Sequence, residues 1–408
     1  MIIAIALGLA AFLSTSADDP DSLLARAERR LRAEESRLIA FRRDLHQNPE
    51  LSGAEERTAG KVAGRLRELG LEVRTGVGGH GVVALIRGVR PGPLVAYRAD
   101  MDAVPSNAPD PVEFRSLKPG VRHICGHDIH TTIGVALAEA LAGLRSEMSG
   151  TVMLVFQPAE ENVTGAKAML AAGLFKARKP VAIYGIHTAP LPVGQLGTRP
   201  GAMMASIDAV RVTITGSGDL TALGDSAVRI IRSVSTTTRA AAIQGTAPED
   251  GLVAEAQIRQ ADGGGRMVQG SISSANADAR ARARQTIIAG LERLRSPATQ
   301  VKVDYEDRMA AGVVNDAGLM EWSNAVIDAA MGKGTTVIVP VAPLVFSEDF
   351  GSFQEQVPGV FWFLGVSNAE RGWVGMPHTP GYVADEAAIV VAARAMTAVL
   401  LDRLRSTP

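Results

Sequence analysis

The sequence predicts an α/β protein: a mostly parallel sheet flanked by helices, with a smaller α+β, ferredoxin-like domain inserted into it. Three observations predict this. Short apolar runs alternate with helix-length amphipathic stretches towards both ends of the chain, and that alternation implies parallel strands joined by helical crossovers. From about residue 202 to 306 the order becomes strand, helix, strand, strand, helix, strand, which fits a small sheet with helices on one face. Carboxylates and imidazoles collect where the apolar runs stop, and open α/β sheets keep their chemistry outside the carboxyl ends of their strands. The 408 residues suffice for two cores. The expected division is a leader over 1–17, one domain from 18–201 and 307–408, and a second domain over 202–306.

Residues 22–43 place Leu23, Leu24, Leu31, Leu38, Ile39 and Phe41 among many charges, the pattern of an amphipathic helix. Pro49 breaks it. Residues 55–69 form a second helix, stopped by Gly70. Strands are expected at 71–75 and 82–87 around a Gly-rich turn, and at 94–99, which runs into Arg98-Ala99-Asp100-Met101-Asp102. A helix over 131–144 precedes a buried strand at 151–156, a helix at 165–172 and a strand at 181–186. In the second domain, strands at 207–215, 252–258, 268–272 and 299–305 combine with helices at 224–235 and 276–294. The chain then returns to α/β character, with helices at 319–331 and 386–401 and strands at 336–339 and 360–364. No internal repeat or low-complexity stretch interrupts it.

Composition excludes several functions. Net charge is −1 and like charges form no block, so neither nucleic acid nor an anionic membrane surface is an expected partner. Aromatic residues make up 4%, too few for a platform that stacks bases or sugars. The apolar run at 2–13 has the length of an export-signal core, and Thr15-Ser16-Ala17 offers a cleavage point. No Lys or Arg precedes that run, so a short membrane anchor or a misassigned start is the alternative. The run is too short to span a bilayer comfortably, and no other stretch is apolar enough. The expectation is an exported protein, periplasmic or secreted, with no membrane span after processing. Its single cysteine, Cys125, allows no internal disulfide, and a free thiol is a liability in an oxidising compartment. A metal-held thiolate is protected, so export and a lone cysteine fit together if Cys125 is a ligand.

The densest chemistry lies in His123-Ile124-Cys125-Gly126-His127-Asp128-Ile129-His130. Cys125 and His127, with Gly126 between, can turn towards one metal ion, and imidazole and thiolate suit zinc and its neighbours. Taken alone, the segment could equally be a loop with incidental histidines. Other strand ends change that. Asp100 and Asp102 follow one apolar run, Gln157-Pro158-Ala159-Glu160-Glu161 follows the next, and His187 follows a third. Met376-Pro377-His378-Thr379-Pro380 is a proline-flanked loop. A solvated turn would also accommodate Glu160 and Glu161, but as buried carboxylates they need partners. A di-metal hydrolase needs two cations about 3.5–4 Å apart, a water between them and a carboxylate base. The candidate ligands are Cys125, His127, Glu161, His187 and His378, with Glu160 as general base. Asp100, Asp102, Asp128 and His130 are candidates for holding those ligands from behind. A nucleophilic Cys125 is a poor alternative, because His127 would have to deprotonate its near neighbour while a third group oriented it.

A set of motifs occurs in this order: 42–50 (RRDLHQNPE), 98–105 (RADMDAVP), 125–130 (CGHDIH), 157–161 (QPAEE), 185–187 (GIH), 347–350 (SEDF) and 376–380 (MPHTP). In them the chain resembles the aminoacylase/carboxypeptidase family of di-metal amidohydrolases, and within it the hippurate hydrolase and indole-acetyl-amino-acid hydrolase branch. The likeness spans most of 41–201 and the stretch from 315 to the C-terminus. It implies a di-metal exopeptidase-like fold. It also implies two divalent ions, zinc or manganese, bound by Cys125, His127, Glu161, His187 and His378, with Glu160 as the base. The implied reaction is hydrolysis of N-acyl amino acids or related amides, and the implied assembly is a homodimer formed through the inserted domain.

That domain departs from the family pattern. Relatives carry a lid histidine in a Gly-Gly-His context, credited with polarising the scissile carbonyl across the dimer. This chain has Gly216-Ser217-Gly218-Asp219-Leu220 there, and no histidine lies between His187 and His378. The family's asparagine-bearing lid loop, and the arginine on the strand after it, are not recognisable. Loss of one such oxyanion donor costs about 2.7–4 kcal/mol. Arg239 and Arg266 are the candidates to replace it. A catalytically weak, metal-bound binding or regulatory protein is therefore the alternative to an amidohydrolase.

Overall fold

Helix α1 (Leu23–Gln47) begins where Ser22 Oγ accepts the Ala25 amide, satisfying one of the donors that a helix N-terminus leaves open. That cap is the first feature of the computed structural model, which describes residues 22–261 and 264–405. The expected leader at 1–17 lies outside the described residues. After α1 come α2 (Glu56–Glu68), β1 (Glu72–Thr75), β2 (Val82–Arg87), β3 (Arg90–Asp100), β4 (Val104–Pro105), β5 (Val121–Arg122), α3 (His127–Ala142), β6 (Ser149–Gln157), α4 (Gly165–Ala171), β7 (Ala182–Pro192), β8 (Leu196–Thr198) and β9 (Gly201–Ala202). A second run contributes β10 (Ser206–Gly216), α5 (Leu220–Arg232), α6 (Arg239–Ile243), β11 (Val253–Gln260), β12 (Arg266–Ser274), α7 (Ala277–Glu292) and β13 (Thr299–Ala310). The chain closes through β14 (Val314–Asn315), α8 (Ala317–Met331), β15 (Thr336–Ile338), α9 (Gly351–Gln354), β16 (Gly359–Ser367) and α10 (Ala387–Arg403).

Eight strands form the main sheet in the order β1-β2-β6-β3-β7-β16-β8-β15. Its centre, β6-β3-β7-β16, is parallel, and antiparallel pairings appear at β1–β2, β2–β6 and β16–β8. Successive side chains of a strand face opposite sides, and here both sides are covered. Val95, Tyr97 and Ala99 of β3, with Phe156 of β6 and Trp362 of β16, share one core with α1, α2, α3, α8 and α10. Ala96, Val155 and Phe361 share the other with Met169 of α4 and Phe353 of α9. Burial on both faces is why these strands read as unbroken apolar runs.

All 16 residues of α3 are buried, because α1 and α10 pack on it as well as strands of the sheet. At Gly134 an added Cβ would lie 2.6 Å from the Phe156 ring, so glycine sets the close approach of α3 to β6. The helix starts at His127, earlier than the expected 131. Gly126 takes the left-handed conformation (φ 87°, ψ 17°) that admits so sharp an entry, and a Cβ there would meet Tyr382 Oη at 2.4 Å. His127, Asp128 and His130 therefore sit in the first turn of a helix, not in a loop before it. β7 likewise outruns its expected end, which places His187 within the strand. β8 and α6, with 3 and 5 residues, are too short to show a period in sequence.

The second sheet has the order β11-β12-β10-β13 and is antiparallel throughout. α5 and α7 pack over Val210, Val212, Ile214 and Ile272. The strand order and the succession of elements are ferredoxin-like. No described helix is long and apolar enough to cross a membrane.

Trp362 is fully buried, lies 5.9 Å from the Tyr184 ring and donates from Nε1 to Asn324 Oδ1 at 2.9 Å. Trp362→Ala is expected to remove about 3–5 kcal/mol of stability. A urea midpoint equal to that of the parent protein would show that this face of the sheet does not carry the stability assigned to it.

Candidate active site

The parallel strands deliver their carboxyl ends to one place. β3 ends at Asp100, with Asp102 just beyond, and β6 ends at Gln157, followed by Glu160 and Glu161. β7 carries His187, the turn into α3 carries Cys125 and His127, and His378 arrives on the segment between β16 and α10. Cys125 Sγ lies 3.1 Å from Nε2 of His187 and 3.1 Å from Nε2 of His378. Nε2 of His378 is 3.3 Å from Glu161 Oε1, and Nε2 of His127 is 3.7 Å from a carboxylate oxygen of both Glu160 and Glu161. Two sets of donors share the thiol: Cys125 with His127 and His187, and Cys125 with Glu161 and His378. Within each set the ligand atoms lie within 4.8 Å of one another.

The imidazoles are aimed by their other nitrogen. His187 Nδ1 donates to the Thr188 carbonyl at 2.7 Å, which leaves Nε2 as a bare acceptor facing the thiol. His127 Nδ1 pairs with Asp102 Oδ1 at 3.2 Å. Asp102 Oδ2 is fixed in turn by Ser52 Oγ at 2.7 Å and the Glu161 amide at 2.9 Å. Nε2 of His127 and Oε1 of Glu161 are buried and make no hydrogen bond. Buried polar atoms are normally partnered, and acceptors turned towards one another suit a cation. Charge leads to the same fit. Burial, then Glu161, Glu160 and Asp100, push the Cys125 thiol well above its ordinary range, and burial with Glu348 and Glu161 does the same to Glu160. Burial works against a charged His127, yet Asp100, Asp102 and Glu161 outweigh it and raise that imidazole to about 10. The cluster calls for positive charge at its centre, and divalent cations supply it directly.

The backbone is strained here. Ala159 (φ 53°), Val163 (φ 56°) and His378 (φ 58°) are non-glycine residues in the left-handed region, at about 1–3 kcal/mol each. Two of them bracket Glu160 and Glu161, and the third is itself a member of the cluster.

Asp100 and His130 hold each other. His130 Nδ1 donates to Asp100 Oδ1 at 2.6 Å, and its Nε2 accepts the Thr188 amide at 2.8 Å. Its ligand atoms lie within 4.8 Å of those of Asp100 and His127, but both ring nitrogens are used in hydrogen bonds, so His130 positions β7 and offers no free donor. Asp128 is not brought to the cluster. It forms an ion pair with Arg42, whose Nε lies 2.7 Å away, and accepts from His46 Nδ1 at 2.8 Å, and so ties α1 to the first turn of α3.

Residues 96–402 match peptidase family M20/M25/M40. The chain belongs to that family. It is 34% identical over 368 residues to a probable hydrolase of Synechocystis sp., covering 87% of this chain and 92% of the relative. Over 389 residues it is 32% identical to an N-acetylcysteine deacetylase of Bacillus subtilis, covering 88% and 94%. A crystal structure of a Bacillus subtilis dinuclear metal binding peptidase of the M20 family resembles it with a TM-score of 0.75 at 29% identity, over 92% of this chain and 100% of that one. The family likeness expected from the motifs is borne out, and the protein is a hydrolase.

In this M20/M25/M40 chain the site also includes Arg98, Glu348 and Asp349, which the sequence pattern presents only as members of motifs. Arg98 is fully buried. Its guanidinium reaches Asp100 Oδ2 at 2.6 Å, Glu348 Oε1 at 2.6 Å, Asp349 Oδ1 at 3.1 Å and Gln157 Oε1 at 2.8 Å. Even so, burial lifts Glu348 to about 8. The available signal was an arginine at the end of an apolar run, since a charge buried there demands a partner.

A cavity of about 310 Å³ opens beside Cys125, Glu160, Glu161, His187 and His378, and its other walls include Leu191, Met204, Val339, Phe346 and Phe363. From the 202–306 stretch, α6 adds Ala242 and Ile243. Arg239 and Arg266 do not line it: Arg239 pairs with Glu255 at 2.7 Å, and Arg266 donates to Thr221 Oγ1 at 2.9 Å. Asp219, in the segment where relatives carry the lid histidine, accepts the Thr221 and Ala222 amides and so caps α5.

The α1–α3 tie continues from His46 Nε2 to Asp110 Oδ2 at 3.0 Å. Burial opposes the charged form of Asp110, but His46, the Ser116 amide and Arg122 lower it to about 2. Burial and Arg42 oppose a charged His46, but Asp110 and Asp128 leave it raised. A lowered carboxylate stabilises above its unfolded value and loses this as pH falls through its folded one; a raised imidazole stabilises below its unfolded value and loses this as pH rises. The stability deficit of Asp110→Asn is therefore expected to be largest between about pH 4 and 6.5. It should shrink as pH falls towards 2 and again as pH rises through the raised His46 value. Urea unfolding of both proteins across that range checks it, and a deficit independent of pH would refute the ionic tie.

Proposed function

We propose that the protein is a metal-dependent amidohydrolase that cleaves the linear amide bond of N-acyl amino acids or related amides. The observation that carries this reading is the convergence of ligand atoms from Cys125, His127, Glu161, His187 and His378, with Glu160 beside them on the same cavity. Two divalent ions, zinc or manganese, are the cofactors. Cys125, His127 and His187 would hold one, and Cys125, Glu161 and His378 the other, with the thiolate common to both. Bound there, they supply a Lewis acid for the amide carbonyl and a water that loses its proton near neutral pH. Glu160 takes a proton from the attacking water as the water oxygen bonds to the carbonyl carbon. It returns that proton to the nitrogen as the C–N bond breaks, giving a carboxylic acid and a free amine. Asp102 keeps His127 aimed at the cluster, and the apolar walls exclude bulk water. Two Bacillus subtilis proteins, the deacetylase and the dinuclear peptidase, carry names that describe this chemistry for those proteins.

The same reading takes residues 1–17 as an export signal, the protein as periplasmic or secreted, and 202–306 as a lid domain through which two chains pair. One observation favours a second reading, a catalytically weak metal-bound binding protein: the 202–306 stretch brings neither histidine nor arginine to the cavity.

Glu160→Gln is expected to lower kcat by about 10²–10⁴-fold while elemental analysis still finds two ions per chain. Unchanged turnover in that variant would remove Glu160 from the mechanism. Dialysis against a chelator is expected to abolish turnover and lower Tm, and added zinc or manganese to restore both, with about 2.7 kcal/mol of stabilisation per site at a hundredfold excess over Kd. Metal-loaded protein that is silent on every amide would favour the binding protein.

A further inference from the structure

The cavity has a one-sided chemistry. Its ionisable lining groups are Cys125, Glu160, Glu161, His187 and His378, all assigned above to the metal cluster and its base. Among the described residues, no lysine or arginine lines it. The remaining wall is largely hydrocarbon, with Leu191, Met204, Val339 and Phe363 inside and Ile243 and Phe346 contributed by the segments that flank it. Those last two stay on the surface, Ile243 51% exposed and Phe346 37% exposed. Apolar side chains left in water around a concave site point to an apolar ligand.

A free carboxylate in this cavity would leave water for hydrocarbon, with Glu160 and Glu161 as the protein's own nearest charges. A buried charge without an opposite partner is disfavoured. Ions held by the cluster would not fill that role, since they would be engaged with the scissile carbonyl and the attacking water. The arginines that the 202–306 stretch could have offered, Arg239 and Arg266, are engaged with Glu255 and Thr221.

We propose that the substrate is a neutral amide whose apolar portion fills this cavity: an N-acyl amine or a carboxyl-blocked N-acyl amino acid, and not an N-acyl amino acid with its carboxylate free. This rests on the amidohydrolase reading and narrows it. Hydrolysis releases a carboxylic acid and an uncharged-side-chain amine, so the reaction that supplies the substrate is an N-acylation of an apolar amine.

The test uses metal-loaded full-length protein and matched pairs, N-acyl-leucine against the corresponding N-acyl-3-methylbutylamine, which differ only by the carboxylate. The acyl chain is lengthened stepwise from acetyl. The amine derivative is expected to show kcat/KM at least about tenfold higher. Values should climb about three- to fourfold per added methylene until the cavity is full. Equal or higher kcat/KM on N-acyl-leucine overturns the proposal and leaves the amidohydrolase standing. Silence on both members of every pair, with metal bound, overturns both. Ile243→Arg, at an exposed position on the rim, is expected to shift the preference towards N-acyl-leucine by about tenfold. A preference unmoved by that charge places the substrate outside this cavity and overturns the proposal.

Discussion

Arg98 lies fully buried among Asp100, Glu348 and Asp349. One guanidinium cannot balance three carboxylates, and Asp102, Glu160, Glu161 and the Cys125 thiol crowd the same strand ends. Taking like charges out of water together is among the costliest things a fold can do. The lifted Glu348, Glu160 and Cys125 all express that surplus. The sheet tolerates it in part because two of the acidic groups are held by backbone amides and fixed partners. Asp349 takes the Ala166 amide and Gln157 Nε2, and Asp102 takes Ser52 and the Glu161 amide. A framework so built is preorganised for cations, because the repulsion is met during folding and the ligands need not gather when an ion arrives.

The first turn of α3 distributes three tasks by helical geometry alone. Residues three apart share a face and neighbours diverge by about 100°. His127 and His130 accordingly turn towards the strand ends, with rings 5.3 Å apart, and Asp128 points elsewhere, to Arg42 and His46 of α1. The same turn thus offers a candidate ligand, braces Asp100 and anchors the helix that covers it. Gly126 makes this possible by letting Cys125 sit two residues before the helix begins while its thiol faces the same centre as His127.

How much of this was legible follows from which signals are local. The α/β class, the ferredoxin-like succession and the convergence at strand ends are carried by period and order, and these survive in a sequence. The start of α3 was not legible, because glycine ordinarily marks the end of a regular element, and only the Tyr382 and Thr188 side chains around Gly126 show why it begins one. Asp128 looked like a helper because it adjoins His127; adjacency in a helix is separation in space. Arg98 and Glu348 stood in plain view as letters, but their contact joins residues 250 positions apart, and no spacing rule reaches that far. His187 was expected after its strand and lies inside it, a boundary that hydrophobicity does not mark because the cluster itself buries the continuation of β7.

A 202–306 stretch without histidine and a cavity that no lysine or arginine lines among the described residues belong to one argument. A donor to the developing oxyanion is worth about 2.7–4 kcal/mol, whereas divalent cations held by the cluster would stabilise the same charge by several kcal/mol, so a site holding two of them would dispense with the donor at reduced rate. An arginine for a substrate carboxylate would have no such substitute, since ions held there would be engaged with the reacting atoms. The proposed neutral substrate, with no carboxylate to hold, accounts for that absence. α6 fits that view: the short helix brings Ala242 and Ile243, not a polar hook, to the rim. On the proposed reading, divergence in the 202–306 stretch changes what the cavity recognises, while the strand ends keep the candidate ligands and Glu160 together.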